Sequence, residues 1–335
     1  MSRTFRTLAR VAAFLVAVAL AVFAAFAWWM SQPLSLPSSP YSFEVRPGMT
    51  LKSVARELVG AGVLRFELPL VALGRYKRVD RSIKAGSFEI ATGVTLEGLL
   101  DKLTQGDVMQ AALTIVEGTT FAELGQALAA SPAIAKTASG LSEAEIAEKV
   151  GVAGGRLEGW FFPDTYYFAT GSPDVAVLTR AYRLMQRRLD AAWSRRTPDS
   201  PLKDAYSALI LASIVEKETG RAADRPLIAS VFVNRLRLGM RLQSDPTVIY
   251  GMGASFDGNL RKRDLETDTP YNTYTRDGLP PTPIALPGQA SLEAAVNPPK
   301  TDFVYFVSRG DGTSEFSTNL SDHNRAVARF QAPKR

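Results

Sequence analysis

The chain has 335 residues, 46% hydrophobic and 21% charged, the balance of a folded globular protein with room for one large or two modest domains. A formal net charge of +6 favours acidic partners, but Lys and Arg are scattered and no basic run with interleaved aromatics points to nucleic acid. With no cysteine and a single histidine, His323, thiol nucleophiles, disulfides, thiolate zinc sites and multi-histidine metal sites are excluded. Neither metal nor cofactor is expected, and any chemistry falls to carboxylates, hydroxyls, amides and basic groups.

The N-terminus carries a clear physical signal. Arg3, Arg6 and Arg10 precede an uncharged apolar run, Val11 to Met30, matching the roughly 20 residues a helix needs to cross a bilayer. Trp28 and Trp29 stand at its far end, as interfacial aromatics do. A cleaved signal peptide has a shorter apolar region, about 7–15 residues, followed by a small-x-small site; here the run is longer and ends Trp28-Trp29-Met30. An uncleaved transmembrane helix at 11–30 is therefore expected, with residues 1–10 in the cytoplasm and the remainder outside. Residues 31–40, with Pro33, Pro37 and Pro40, read as a short stiff linker.

An internal repeat follows. Phe43-Glu-Val-Arg-Pro-Gly-Met-Thr-Leu51, Phe88-Glu-Ile-Ala-Thr-Gly-Val-Thr-Leu96 and Leu113-Thr-Ile-Val-Glu-Gly-Thr-Thr-Phe121 align without gaps. Each predicts a strand, a turn at Gly48, Gly93 or Gly118, an N-cap at Thr50, Thr95 or Thr120, and an amphipathic helix ending near Leu58, Leu103 or Leu128. Glu97 and Glu123 fall in first turns, where the helix dipole favours them. Three such units argue for one compact α+β module, and on this evidence alone the Gly-x-Thr signature is turn chemistry and not a ligand site.

From about Gly140 the texture changes. The aromatic segment Leu157 to Phe168 is too broken by Gly and Pro to be a helix. Helices are predicted over about Asp174–Trp193, Leu202–Thr219 and Pro226–Leu238. Beyond Gly239 the chain reads as loop to Pro299, then strand Phe303–Val307, a turn at Gly310–Gly312, strand Glu315–Ser317, and a last helix from about Ser321. Long loops carrying Tyr, Asn and Asp are where sites are built.

In the helix 206–220, Ile210, Leu211, Ile214 and Val215 cluster on one side, and Glu218 continues that arc one turn beyond Ile214. Glu216 projects from nearly the opposite side, as a solvated or structural acid. A carboxyl group on a buried stripe has its pKa raised, which suits a general acid. From position alone, ending a helix in solvent before Gly220 or pairing with a nearby arginine is the commoner fate of such a residue. A triad through His323 fits poorly, because Ser321-Asp-His-Asn-Arg325 has the pattern of a capped helix start.

Around these residues the chain resembles the YceG/MltG family of endolytic murein transglycosylases. The resemblance is carried by Ala212-Ser-Ile-Val-Glu-Lys-Glu-Thr219, Leu157-Glu-Gly-Trp-Phe-Phe-Pro-Asp-Thr-Tyr166, Ser230-Val-Phe-Val-Asn-Arg-Leu236 and Met240-Arg-Leu-Gln-Ser-Asp-Pro-Thr-Val-Ile-Tyr-Gly251. It continues through Tyr271-Asn-Thr-Tyr274, Gly278-Leu-Pro-Pro-Thr-Pro-Ile284 and Ala294-Ala-Val-Asn-Pro298. These motifs keep their order over about Tyr41 to Phe330; Trp160 stands where the family commonly has Tyr. The first repeat unit, Tyr41 to about Ile90, also resembles a LysM-like βααβ glycan-binding module.

The resemblance implies an α+β protein of an N-terminal transmembrane helix, a LysM-like module (41–108) and a mixed α+β catalytic domain (109–335). It would sit in the cytoplasmic (inner) membrane with its catalytic part in the periplasm. The activity implied is non-hydrolytic cleavage of the MurNAc-β-1,4-GlcNAc bond of peptidoglycan strands, with Glu218 as acid and then base and a 1,6-anhydro end as product. Cell-wall synthesis machinery is the implied protein partner. Candidates to hold the sugar are Gln243, Ser244, Asp245, Thr247, Tyr250, Tyr271, Asn272 and Tyr274, although Ser244-Asp245-Pro246 also reads as a turn and Tyr250 as core. Asn297 before Pro298 reads as a turn. Two alternatives stay open: a non-catalytic glycan-binding scaffold, and a hydrolytic muramidase pairing Glu218 with Asp245 or Glu158.

Overall fold

The computed structural model describes residues 14–18, 20, 21, 24, 25, 28, 30–46, 48–105 and 110–330. Nine of the twenty residues of the expected span 11–30 lie outside them, and among the described residues no helix is long and apolar enough to cross a membrane. The chain divides into two compact units, Met1–Ala111 with Phe168–Ser172, and Ala112–Tyr167 with Pro173–Arg335.

The first unit runs β1 (Tyr41–Val45), α1 (Leu51–Gly60), α2 (Leu68–Tyr76), β2 (Gly86–Ile90), α3 (Leu96–Gln105). β1 and β2 are antiparallel, Tyr41 facing Ile90 and Val45 facing Gly86. The core is apolar throughout, with Leu51, Leu58, Leu70, Phe88, Ile90, Leu99 and Leu103 buried. The segment 31–40, read as a short stiff linker, is packed onto this unit. Met30, Leu34 and Leu36 pack against this core, and the Leu34 amide donates to the Val94 carbonyl at 2.7 Å.

All three repeat units form as their local chemistry dictates. Gly48, Gly93 and Gly118 adopt φ of 86°, 94° and 77°, the left-handed turn that favours glycine. Thr50, Thr95 and Thr120 each accept a backbone N–H three residues on, at 3.2 Å. The repeats do not, however, share one module. β3 (Gln110–Thr114) pairs with β5 (Thr165–Ala169), and its helix α4 (Phe121–Ala130) belongs to the second unit. Local turn chemistry is blind to the choice of partner strand.

The two-residue strand β4 (Ile134–Ala135) pairs with β6 (Ser172–Pro173), where the chain passes into the second unit, and that unit adds the hairpin β7 (Tyr305–Ser308) with β8 (Ser314–Ser317). Its helices are α5 (Glu143–Val150), α6 (Asp174–Ser194), α7 (Ala205–Glu218), α8 (Arg225–Arg237), α9 (Asp245–Met252), α10 (Lys262–Glu266), α11 (Gln289–Val296) and α12 (Leu320–Phe330). Three of these, α9, α10 and α11, fall in the stretch the sequence presented as loop. Pro246 sits in the first turn of α9 and starts it instead of breaking it. α11 is short and buried on most sides, so no polar face marks its period.

α7 is the axis of this unit. Asp204 caps it, accepting the Ser207 amide at 2.7 Å, and α11, α8 and α6 pack around it. Residues Ala208 to Glu216 are all buried. The one-sided apolar stripe read from the sequence is therefore incomplete: the helix is covered all round, so the side carrying Glu216 is buried too.

Candidate active site

α7 ends at Glu218 because Thr219 turns extended, with φ −151° and ψ 135°. Glu218 is half-buried and not frayed into solvent, and among the described residues it forms no ion pair with an arginine. Its Oε1 accepts the Ser244 hydroxyl at 2.5 Å. Burial pushes the carboxyl group from about 4.5 up to about 7, aided by the nearby charge of Asp245; the Ser244 hydrogen bond and the Arg235 charge pull the other way and do not prevail. A carboxyl group poised near neutrality can both give and take a proton.

The segment facing Glu218 is held with little freedom. Gln243 has φ 52°, a left-handed backbone unusual for a side-chain-bearing residue. Its amide donates to the Thr273 carbonyl at 3.1 Å, and the Ser244 amide donates to Thr273 Oγ1 at 3.0 Å. The Thr247 hydroxyl donates to the Ser244 carbonyl at 2.7 Å. Ser244 is thus fixed from three sides with its hydroxyl on Glu218.

Of the remaining candidates, Asp245 and Tyr274 join the same cluster: the Tyr274 hydroxyl donates to Asp245 Oδ1 at 2.6 Å, and burial together with that bond raises the phenol's pKa. The Gln243 side chain is exposed beside them. Thr247 and Asn272 were expected to touch substrate, yet both are 0% exposed. The Asn272 carboxamide donates to the Leu265 and Thr267 carbonyls at 3.0 and 2.7 Å and accepts the Tyr274 amide at 2.8 Å. With their polar groups engaged inside the protein, these two residues shape the loop from behind. Tyr250 and Tyr271 stack edge to face at 4.9 Å; the Tyr250 hydroxyl donates to Glu158 at 3.1 Å, and that of Tyr271 lies 2.9 Å from Thr282 Oγ1.

The other two acids are anchored elsewhere. Glu158, buried and pushed up to about 7 by burial, accepts the Phe121 amide at 3.0 Å at the start of α4, as well as Tyr250. Glu216 accepts Arg225 at 2.8 Å and the Gly288 amide, which caps α11, at 2.9 Å. It is a structural acid. His323 stacks on Tyr305 at 5.0 Å, and burial lowers its pKa; its place is the hairpin side of α12.

Sequence reasoning missed Arg235. It is buried, donating to the Val304 and Leu242 carbonyls at 2.7 Å each, with the Tyr305 ring 5.2 Å from its guanidinium carbon. It ties α8 to the extended segment preceding Gln243 and lends Glu218 a positive charge. The available signal was an arginine two residues after the apolar run Val231-Phe232-Val233, on a helix whose neighbours are almost all buried.

Residues 43–329 match the model of the YceG-like family. The chain is 32% identical over 311 residues to the endolytic murein transglycosylase of Bacillus subtilis (strain 168), covering 88% of this chain and 85% of that protein. It is 29% identical to the endolytic murein transglycosylase of Streptococcus pneumoniae serotype 2, covering 88% of this chain but 59% of that longer protein. The crystal structure of a YceG-like protein from Listeria monocytogenes superposes with a TM-score of 0.54 at 28% identity, over 86% of this chain and 98% of that one. A match spanning nearly all of both units, with a half-buried acid at its centre, leaves one assignment: the chain belongs to the YceG-like family.

Proposed function

We propose that this chain is a peptidoglycan lytic transglycosylase in which Glu218 is the acid/base, acting at the MurNAc-β-1,4-GlcNAc bond. The observation that carries this is the state of Glu218: a carboxyl group held near pH 7 by burial, oriented by Ser244 at 2.5 Å and open on part of its surface. The names borne by the B. subtilis and S. pneumoniae relatives support the same reaction.

The protonated Glu218 gives its proton to the glycosidic oxygen as the bond to muramic C1 breaks. The resulting carboxylate takes the proton from the muramic 6-hydroxyl, whose oxygen closes on C1. A 1,6-anhydro end forms, water is not consumed, and Glu218 regains its proton. One carboxylate suffices because the nucleophile belongs to the substrate, where an ordinary glycosidase needs two. Ser244 steadies the ionised intermediate state. Asp245, Tyr274 and Gln243 line the open side and are the candidates to hold the sugar, in the domain 109–335.

The order β1–α1–α2–β2 supports reading residues 41–108 as the LysM-like glycan-binding module, and the run 11–30 supports an inner-membrane anchor with the remainder in the periplasm. Cell-wall synthesis enzymes are the partners this location brings within reach.

Digestion of purified glycan strands in ¹⁸O-labelled water tests the proposal by mass spectrometry. Unlabelled anhydro-muramic ends are expected, with long fragments preceding disaccharides. Label at C1 would establish water as nucleophile and make Asp245, whose charge already acts on Glu218, the second carboxylate of a muramidase. An inert protein that still binds glycan would leave the scaffold alternative.

A further inference from the structure

α2 is packed the wrong way out for a helix facing only water. Its inner side, Leu70 and Leu73, is buried in the core of the first unit. Its outer side should then be polar. Instead Leu68, Ala72 and Tyr76, spaced i, i+4, i+8 on one side of the helix, are all exposed, Leu68 at 74% and Tyr76 at 86%. Phe66, just before the helix, adds a fourth apolar group at 67% exposure. Arg65, Arg75 and Arg78 flank the stripe, and none forms an ion pair among the described residues. Arg78 also takes a left-handed backbone, φ 59°, where glycine is favoured.

What covers this stripe is indicated by where the chain enters the unit. Leu64, Arg65, Phe66 and Pro69 line a cavity of about 410 Å³ together with Trp28 and Met30, the last residues of the apolar N-terminal run. That end is tied down: the Ser31 amide and hydroxyl both donate to the Trp28 carbonyl, and Met30, Leu34 and Leu36 pack into the unit's core. The interfacial end of the anchor and the Phe66–Leu68 corner are therefore held beside each other with no swinging linker between them.

We propose that the outward face of α2, with Phe66, lies on the surface of the membrane in which the chain is anchored, apolar groups in the acyl boundary and Arg65, Arg75 and Arg78 on anionic headgroups. This rests on reading residues 11–30 as an anchor.

The chain has no cysteine, so Leu68→Cys and Tyr76→Cys place a single environment-sensitive fluorophore at each end of the stripe. The full chain is reconstituted in phosphatidylcholine vesicles with and without phosphatidylglycerol. A blue-shifted emission, quenched by nitroxide lipid and shielded from iodide, is expected at both positions. The shift should be larger with phosphatidylglycerol, and Arg65→Glu, Arg75→Glu and Arg78→Glu together should remove that excess. Chain that fails to float with vesicles overturns the anchor and this proposal with it. Chain that floats while both fluorophores remain open to iodide overturns this proposal and leaves the anchor standing. A blue shift produced by soluble glycan fragments without lipid would assign the stripe to sugar and equally overturn it.

Discussion

Replacing Glu218 by glutamine should abolish cleavage and at the same time stabilise the protein, by an amount that grows from about pH 4.5 and is complete above about pH 7. The folded carboxyl group releases its proton near 7, against about 4.5 when exposed. Between those values the native state holds a proton that the unfolded chain has already lost, so wild-type stability falls as pH rises through this window, and the loss is complete above about 7. At roughly 1.36 kcal/mol per pH unit the difference amounts to about 3 kcal/mol. Glutamine has no proton to lose, and its Oε1 can still accept from Ser244. Glu158, also raised to about 7, is present in both proteins and cancels from the comparison. Thermal melts at pH 5 and pH 8.5 should therefore show near-equal stabilities at the lower pH and, at the higher, a variant melting roughly 6–12 °C above wild type. Turnover on glycan strands should drop by about 10²–10⁴-fold or more. An advantage of the same size at both pH values would refute the raised pKa, and with it the account of Glu218 as an acid at neutral pH.

Three further outcomes follow from the packing. Glu216→Gln removes the nearer of the two acidic partners of the enclosed Arg225, leaving Glu117 at 3.7 Å, and should cost up to about 3 kcal/mol in urea unfolding, while activity per folded molecule is retained; a loss of turnover without a loss of stability would reverse the roles of the two acids. Gly159→Ala should abolish soluble expression or unfold near ambient temperature, because Gly159 has φ 83° and a Cβ there would meet Pro283 Cβ at 2.4 Å; a stable variant in a melting assay would contradict that close approach. Fragments beginning at Gln32 and at Ser38 should both cut soluble glycan, but the second loses the packing of Leu34 and Leu36 and the Leu34–Val94 hydrogen bond. At about 0.8 kcal/mol per buried methylene it should be the less stable by several kcal/mol, and equal melting temperatures would show that this segment contributes nothing.

The features legible in the sequence were those written in contiguous residues. Thr50, Thr95 and Thr120 cap helices because a hydroxyl after a left-handed glycine meets free amides three residues on, whatever the surroundings. Glu218 stood out because an acid on an apolar arc is anomalous. The third repeat's partner strand was not legible, since β3 meets β5 some fifty residues later in the chain, a pairing extended by the bond from the Ile115 amide to the Asp164 carbonyl, and such contacts leave no local trace. Glu216 was legible as a structural acid but not as a buried one, for a related reason: periodicity assumes one wet side, and α7 has none over Ala208–Glu216. Thr247 and Asn272 carry side chains that serve a sugar or a loop equally well, and only their burial decides between the two.

The stretch Thr282–Gly288 belongs to no strand, yet three of its amides are bonded: Ile284 to the Ser213 hydroxyl, Gly288 to the Glu216 carboxylate, and Leu286 to the Thr119 carbonyl. Its order is therefore borrowed from side chains on α7, more than seventy residues upstream. Such amides have no ladder to protect them and exchange with deuterium only when the whole stretch lifts from the helix. Their protection factors should rise and fall together, forming a single slow-exchanging group whose opening exposes Ser213 and Glu216 to solvent at the same moment. Folding carries the same signature. Closing so long a loop comes late, so α7 must already be formed when this stretch docks, and docking is the event that makes the core watertight.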